Sequence, residues 1–390
     1  MLSIAVTLLL TCTLLVTAEA AYQTPIYVDA ERAKICSTRI CLPPMCRCSG
    51  LTLPKSAYKG HEKEIPQFIT VTFDDAVTAL NYEQYQQIFA NLYNPDRCEA
   101  KGTFYVSHDY TDYAKVNALY NEGHEIALHS ITHGNGTDYW RNANENLMMR
   151  EFGQQIVILE RFAKINRKHI RGMRLPFLQA AGNTSFVVAK SLGLLYDSSW
   201  PTQMYKDPAM WPYTLDYLSV QDCQIGPCPT ASLPGLWVNP MVMWTDVEGY
   251  SCSMIDGCIF LPKDDVDALF EWIKKNFLRH YEGNRAPFGM YLHAAWFSRG
   301  NNYLKAFRKF LEYANSLHDV YLVTPSQVIQ YLKHPSLGRP FKGCFKKPKV
   351  PCQPTTCALE KTSTGETRYM TCCDSCPEVY PWLDNPLGEI

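Results

Sequence analysis

The sequence predicts an α/β fold, a (β/α) barrel of about eight strands, on three observations. Short β-rich runs alternate with amphipathic helical stretches from residue 67 onward. About eight such runs over roughly 260 residues match the size of a barrel of this class. No G-x-G-x-x-G loop follows the first run, so the competing doubly wound open sheet has no phosphate-loop support.

In chain order the strand runs are FITVTF (68–73), GTFYV (102–106), HEIAL (124–128), IRGMRL (170–175), LLYDSS (194–199), LWVNPMVM (236–243), FGMYLH (288–293) and VYLV (320–323). Helical spacing of apolar residues marks 81–93, 144–165, 264–281 and 303–317. Asp264 and Asp265 open the third of these helices, where the helix dipole favours negative charge. Residues 200–262 hold Pro, Trp and the spaced pairs Cys223/Cys228 and Cys252/Cys258. An oversized connection of this kind often shapes a binding cleft.

Outside this region the chain changes character. Residues 1–20 read as a secretory signal: a short apolar stretch, with no preceding Lys or Arg, then Ala18-Glu19-Ala20 as a cleavage pattern. The other reading of this stretch is an ordinary buried helix. Residues 21–66 form a Cys- and Pro-rich extension, 67–340 the central domain and 341–390 a Cys-rich tail in which periodicity vanishes. Of 16 cysteines, Cys12 falls in the signal, and the odd remainder reads as disulfides plus one free thiol or an intermolecular bridge. A zinc ribbon at Cys36, Cys41, Cys46 and Cys48 is the other reading of the N-terminal cluster. Pairings are not legible from spacing.

Composition narrows the function classes. Apolar residues make up 46% and aromatics 13%, enough for a packed core. Lys plus Arg is 37 and Asp plus Glu 38, for a net charge of -1. That balance argues against nucleic-acid binding and against a polybasic membrane anchor. No stretch after the signal is long and apolar enough to span a bilayer. A secreted, extracellular monomer is expected.

Chemistry gathers at the ends of the strand runs. Asp74 and Asp75 close the first run; two like charges this close are costly unless a cation neutralises one. His129 and His133 follow the third run, and histidines four apart share a face of a helical turn. With Asp75 they make two imidazoles and one carboxylate, an open set of the kind used by catalytic zinc. Arg174 ends the fourth run and is expected to hold Asp74 ionised through a bidentate pair. Asp197 and Trp200 end the fifth run, and His293, a general-acid candidate, ends the seventh. Tyr139, Trp140, Trp200, Trp211 and Trp296 are aromatic candidates for stacking on sugar faces, with burial in the core as the other reading.

The segments TFDDA, HSITH, RLPF, DSSW and LHAAW, in this order, resemble the five motifs of the polysaccharide deacetylases of carbohydrate esterase family 4. The resemblance covers roughly residues 66–330. The Cys-rich leader, VSHDYTDY (106–113) and the long inserted loop look closer still to insect-type chitin deacetylases, in particular the midgut group without a chitin-binding module. It implies a deformed (β/α) barrel. It implies zinc on Asp75, His129 and His133, Asp74 as general base and Arg174 orienting it. His293 would be the general acid, Asp197 would tune it, Phe177 would offer its backbone N–H to the oxyanion, and Trp200 would line the acetyl pocket. The implied activity is hydrolysis of the N-acetyl groups of chitin or chito-oligosaccharides, in a gut lumen or peritrophic matrix. Two other functional readings are a non-catalytic chitin-associated matrix protein of the same fold and a deacetylase of another polymer, such as bacterial peptidoglycan or xylan. The tail spacing does not match a peritrophin-type chitin-binding module. Sequons stand at Asn135 and Asn183; a glycan at Asn135, two residues past a candidate ligand, would obstruct the cleft.

Overall fold

Eight consecutive buried residues, Gln67–Asp74, form the strand around which the sheet is built. The structure, a computed structural model, describes residues 31–53, 64–134, 136–335 and 341–390. The expected signal (1–20), Cys12 and Asn135 lie outside the described residues. Numbered in chain order, the strands are β1 (Gln67–Asp74), β2 (Gly102–Val106), β3 (Glu125–Leu128), β4 (Gly172–Met173), β5 (Tyr196–Asp197), β6 (Pro201–Thr202), β7 (Tyr213–Leu215), β8 (Leu233–Val238), β9 (Met241–Val242), β10 (Trp244–Thr245), β11 (Ser251–Cys252), β12 (Phe288–His293), β13 (Val320–Leu322), β14 (Thr355–Lys361) and β15 (Glu366–Cys372).

The main sheet has nine strands in the order β12-β1-β2-β3-β4-β5-β8-β7, with β13 against the first half of β1. Every pairing in it is parallel except β7 with β8. Helices follow the strands, as parallel connections require. Helix Val266–Tyr281 shows why one forms where it does. The Asp265 side chain accepts from the N–H groups of Asp267 and Ala268, and Arg279 and His280 sit in the last turn. Leu269, Phe270, Ile273 and Phe277 recur at helical spacing and are buried.

No ladder joins the sheet's ends, β12 and β7. The small β6–β9 pair fills in, with β9 packed on β12. Trp244 Nε1 donates to Gly289 O at 2.8 Å and Tyr291 Oη to Pro240 O at 3.1 Å. Closure by side chains in place of a continuous ladder is what deforms the barrel.

The extensions pack onto the barrel. Residues 31–53 bond to the long insert through Ala33 N to Thr230 O (2.8 Å) and Arg47 Nε to Pro212 O (2.7 Å). Disulfides join Cys36–Cys48, Cys41–Cys46, Cys98–Cys344, Cys223–Cys228, Cys252–Cys258, Cys352–Cys373 and Cys357–Cys376. Bridges, not a zinc ribbon, account for the N-terminal cluster. Cys372 is unpaired and buried.

The tail is not without periodicity. Strands β14 and β15 form an antiparallel hairpin. Cys357, Leu359 and Lys361 are its buried alternate positions on β14. A cysteine and a lysine hide the alternation, because the Lys361 stem lies inward and its Nζ sits 3.5 Å over the Trp382 ring.

Candidate active site

Parallel register lines up the chemistry. Asp74 stands opposite His293 across β1–β12. Leu128 pairs with Met173 and Met173 with Asp197. His129 and Arg174, the next residues along, therefore leave the sheet side by side. Asp74, His129, Arg174, Asp197 and His293 thus share the C-terminal rim of the strands, the face where sites of such folds sit.

Within the rim, three side chains converge. Asp75 Oδ1 lies 3.3 Å from His133 Nε2 and 3.7 Å from His129 Nε2. These donor atoms all fall within 4.8 Å of one another. His129 Nδ1 donates to Arg174 O at 2.8 Å, which fixes the tautomer and leaves Nε2 with its lone pair toward Asp75. Burial lowers the His129 pKa to about 4, against the pull of Asp74, favouring the neutral ligand form. Two imidazoles and a carboxylate, so placed, fit a divalent metal.

The backbone is bent to achieve this. Asp75, Ser130, His133, Phe177 and Leu178 have φ of 80°, 72°, 43°, 56° and 55°. Such conformations cost on the order of 1–3 kcal/mol each and persist where the surroundings over-determine them. The two histidines therefore sit on an irregular loop and not on the helical turn that their spacing suggested.

Beside the triad is a buried ion pair. Arg174 is fully buried and donates from Nη1 to Asp74 Oδ1 at 2.5 Å and to Thr72 Oγ1 at 3.1 Å. Its Nε bonds Ser198 O at 2.7 Å, and its Cζ lies 4.0 Å from the centre of the Tyr105 ring. The pairing with Asp74 goes through one nitrogen, not two, because the rest of the fork is committed to Ser198. Burial pushes the Asp74 carboxyl up, but Arg174, His129 and His293 outweigh it and hold it below the ordinary value.

His293 has a partner that sequence reasoning missed. Its Nδ1 bonds Asp256 Oδ2 at 2.7 Å, and its Nε2 lies 3.8 Å from Asp75 Oδ2. Asp256 sits in a short turn, Ile255–Gly257, bracketed by the Cys252–Cys258 bridge. Burial disfavours the imidazolium, but the bond to Asp256 and the charges of Asp74, Asp256 and Asp75 raise its pKa to about 9.

Asp197, expected to tune His293, does something else. Its two oxygens accept from Ser199 N (2.9 Å) and Ser199 Oγ (2.6 Å), and that hydroxyl accepts from Leu175 N at 2.8 Å. It braces the segment after Arg174. Burial raises its pKa to about 6.

Most of the aromatic candidates are core. Trp140, Trp211 and Trp296 have no exposed surface. Trp200 is buried too, with its indole N–H on Asp222 O at 2.9 Å. Tyr139 is partly buried and donates its hydroxyl to Glu151. Phe177 alone of the predicted contacts is exposed, 46%, with its ring 5.2 Å from His133. Among the exposed aromatics that sequence reasoning passed over, Tyr250 and Phe260, ring centres 5.7 Å apart, lie on the loop that carries Asp256.

Comparison with known proteins places the chain among relatives. A family model described as polysaccharide deacetylase matches residues 61–197. Chitin deacetylase 8 of Bombyx mori is 44% identical over 384 residues, covering 97% of this chain and 98% of that protein. Chitin deacetylase 1 of Bombyx mori is 36% identical over 383 residues, covering 93% of this chain and 70% of that protein. Solved structures stand further off: that of Puue Allantoinase covers 69% of this chain and 92% of its own, at 17% identity and a TM-score of 0.45. Sharing more than nine-tenths of its length with both Bombyx proteins, the chain belongs to the polysaccharide deacetylase family, among its insect chitin deacetylases.

Proposed function

We propose that this chain is a secreted, zinc-dependent chitin deacetylase that hydrolyses the N-acetyl groups of chitin or chito-oligosaccharides to glucosamine units and acetate. One observation carries the reading: a buried aspartate paired with Arg174 lies beside an Asp75/His129/His133 donor set, which a histidine backed by Asp256 also approaches.

Asp75, His129 and His133 would hold the zinc ion, which would supply Lewis acidity toward the amide carbonyl and water. Asp74 accepts the proton of the attacking water. Its Oδ1 is engaged by Arg174, so Oδ2, 3.9 Å from His129 Nε2, is the working atom. As the C–N bond breaks, His293 donates from Nε2 to the leaving amine, with Nδ1 anchored on Asp256. Acetate and a free amine result. Arg174 orients Asp74, and Asp197 acts one step further back, through Ser199 and Leu175.

Phe177 and the Tyr250–Phe260 pair offer exposed apolar faces for pyranose rings. Residues 67–340 are the catalytic unit, with the 200–262 insert contributing Asp256, and the two Cys-rich extensions clamp it. Seven disulfides among the described residues suit an oxidising, extracellular setting such as a gut lumen or peritrophic matrix. Among the described residues no helix is long and apolar enough to cross a membrane.

A substrate panel tests the proposal. Zinc-loaded protein should release acetate from N-acetylglucosamine oligomers, and little from acetylated xylan or peptidoglycan. Release from xylan or peptidoglycan alone would overturn the chitin assignment.

A further inference from the structure

We propose that Glu151 is the positioning residue of the metal-binding loop, an inference that rests on reading Asp75, His129 and His133 as ligands. Glu151 lies in a π-helical turn, Met149–Gly153, which interrupts the helical run between Glu145 and Phe162. Single turns of this kind recur at functional sites.

The Glu151 side chain is fully buried, and among the described residues no lysine or arginine forms an ion pair with it. A buried carboxylate is costly unless its oxygens are saturated with donors. Here four donors reach it. Oε2 accepts from the backbone N–H groups of Ile131 and Thr132, each at 3.0 Å. Oε1 accepts from the Thr132 hydroxyl at 2.6 Å and the Tyr139 hydroxyl at 2.7 Å. Three of the four come from Ile131 and Thr132, two of the three residues between His129 and His133.

That segment needs an outside acceptor. Positive φ at Ser130 and His133 removes it from regular structure, so its buried N–H groups have no helical carbonyl to meet. Glu151 meets two of them. The Thr132 hydroxyl, while donating to Glu151, accepts from Gly134 N at 3.1 Å, and Ser130 Oγ accepts from His133 N at 3.1 Å. The carboxylate thus fixes Thr132 and, through its hydroxyl, Gly134, the residues on either side of His133, while Ser130 holds the His133 N–H. It also places a negative charge behind a dication site, separated from it by the loop backbone. Tyr139, which the sequence offered as a sugar contact, belongs to this clamp.

Glu151→Gln separates charge from shape. The Thr132 and Tyr139 hydroxyls can turn to accept from the new amide, while its oxygen keeps the two backbone bonds. Glu125→Gln is the control, a buried carboxylate on β3 bonded to Ser326. Metal-free protein would be titrated with zinc against a chromophoric chelator. Glu151→Gln should raise the zinc Kd roughly 10–100-fold, as loss of a partner that orients the ligands does. Tyr139→Phe removes one hydrogen bond at a partly buried residue and should raise it roughly two- to tenfold. Glu125→Gln should leave it unchanged. Wild-type zinc affinity in both Glu151→Gln and Tyr139→Phe would overturn the inference; should Glu151→Gln fail to fold, Tyr139→Phe decides alone. Wild-type protein that binds no metal would instead overturn the ligand reading beneath it.

Discussion

Asp256→Asn isolates the group that backs His293, the proposed general acid. The carboxylate takes the Nδ1 proton at 2.7 Å and the backbone N–H of His293 at 3.3 Å, so an asparagine oxygen can keep both bonds while the charge is lost. The sign follows from the causes. Burial alone would lower the His293 pKa, and three carboxylates raise it to about 9. With metal bound, Asp75 is neutralised by the cation, so Asp256 carries a larger share of what remains. Removing its charge lowers the pKa, and the imidazolium needed by the leaving amine disappears at lower pH. A fall of about one pH unit makes a loss of ~10-fold in kcat/KM on the alkaline side and almost none well below the limb. The assay is a pH profile of acetate release from a chito-oligomer by wild type and Asp256→Asn, with zinc content matched. An alkaline limb at the wild-type position, with activity lost evenly at all pH values, would refute the assignment of Asp256 to His293.

Three further outcomes are expected. Arg174→Met strands the buried Asp74 carboxylate and should cost about 3–5 kcal/mol in urea unfolding; a change below 1 kcal/mol would contradict the described ion pair. Trp140→Ala and Trp296→Ala empty buried space and should cost about 3–5 kcal/mol each with little change in KM, whereas Phe177→Ala, at an exposed ring, should raise KM without lowering stability. Chelation should lower the melting temperature, since a ligand at a hundredfold excess over its Kd stabilises by about 2.7 kcal/mol, and His129→Ala should abolish that shift.

Much of the site was legible because strand ends are legible. Apolar runs stop where the sheet stops, and in a parallel sheet the residues just beyond them share one rim, which is how Asp74, His129, Arg174 and His293 could be grouped before any contact was known. Side-chain direction was not legible. Asp197 stands at a strand end like the others, but its carboxylate turns onto Ser199. Trp296 ends the LHAAW motif and Trp140 follows HSITH, yet both are buried in the core. A spacing of four made a helical turn plausible for His129 and His133; positive φ at Ser130 and His133 gives the same proximity by another route.

Asp256 was hidden for a different reason. It lies 37 residues from His293, on a loop with no periodicity, and reaches the site only through the tertiary fold. The one signal in the sequence was the spaced pair Cys252 and Cys258, which marks a loop held in a fixed shape. Glu151 was masked similarly, since a glutamate in an amphipathic helical run reads as a solvated face until its burial is seen.

The proposed role of Asp74, fixed by Arg174 beside the Asp75/His129/His133 set, is that of the base in a zinc-dependent amide hydrolysis. Its most direct test is acetate release from an N-acetylglucosamine pentamer by zinc-loaded wild type and Asp74→Asn of equal zinc content and equal melting temperature. Wild type should release acetate in a reaction that a chelator abolishes and zinc restores, and the variant should lose about 10²–10⁴-fold. Undiminished release by Asp74→Asn, or release that survives complete removal of metal, would contradict it.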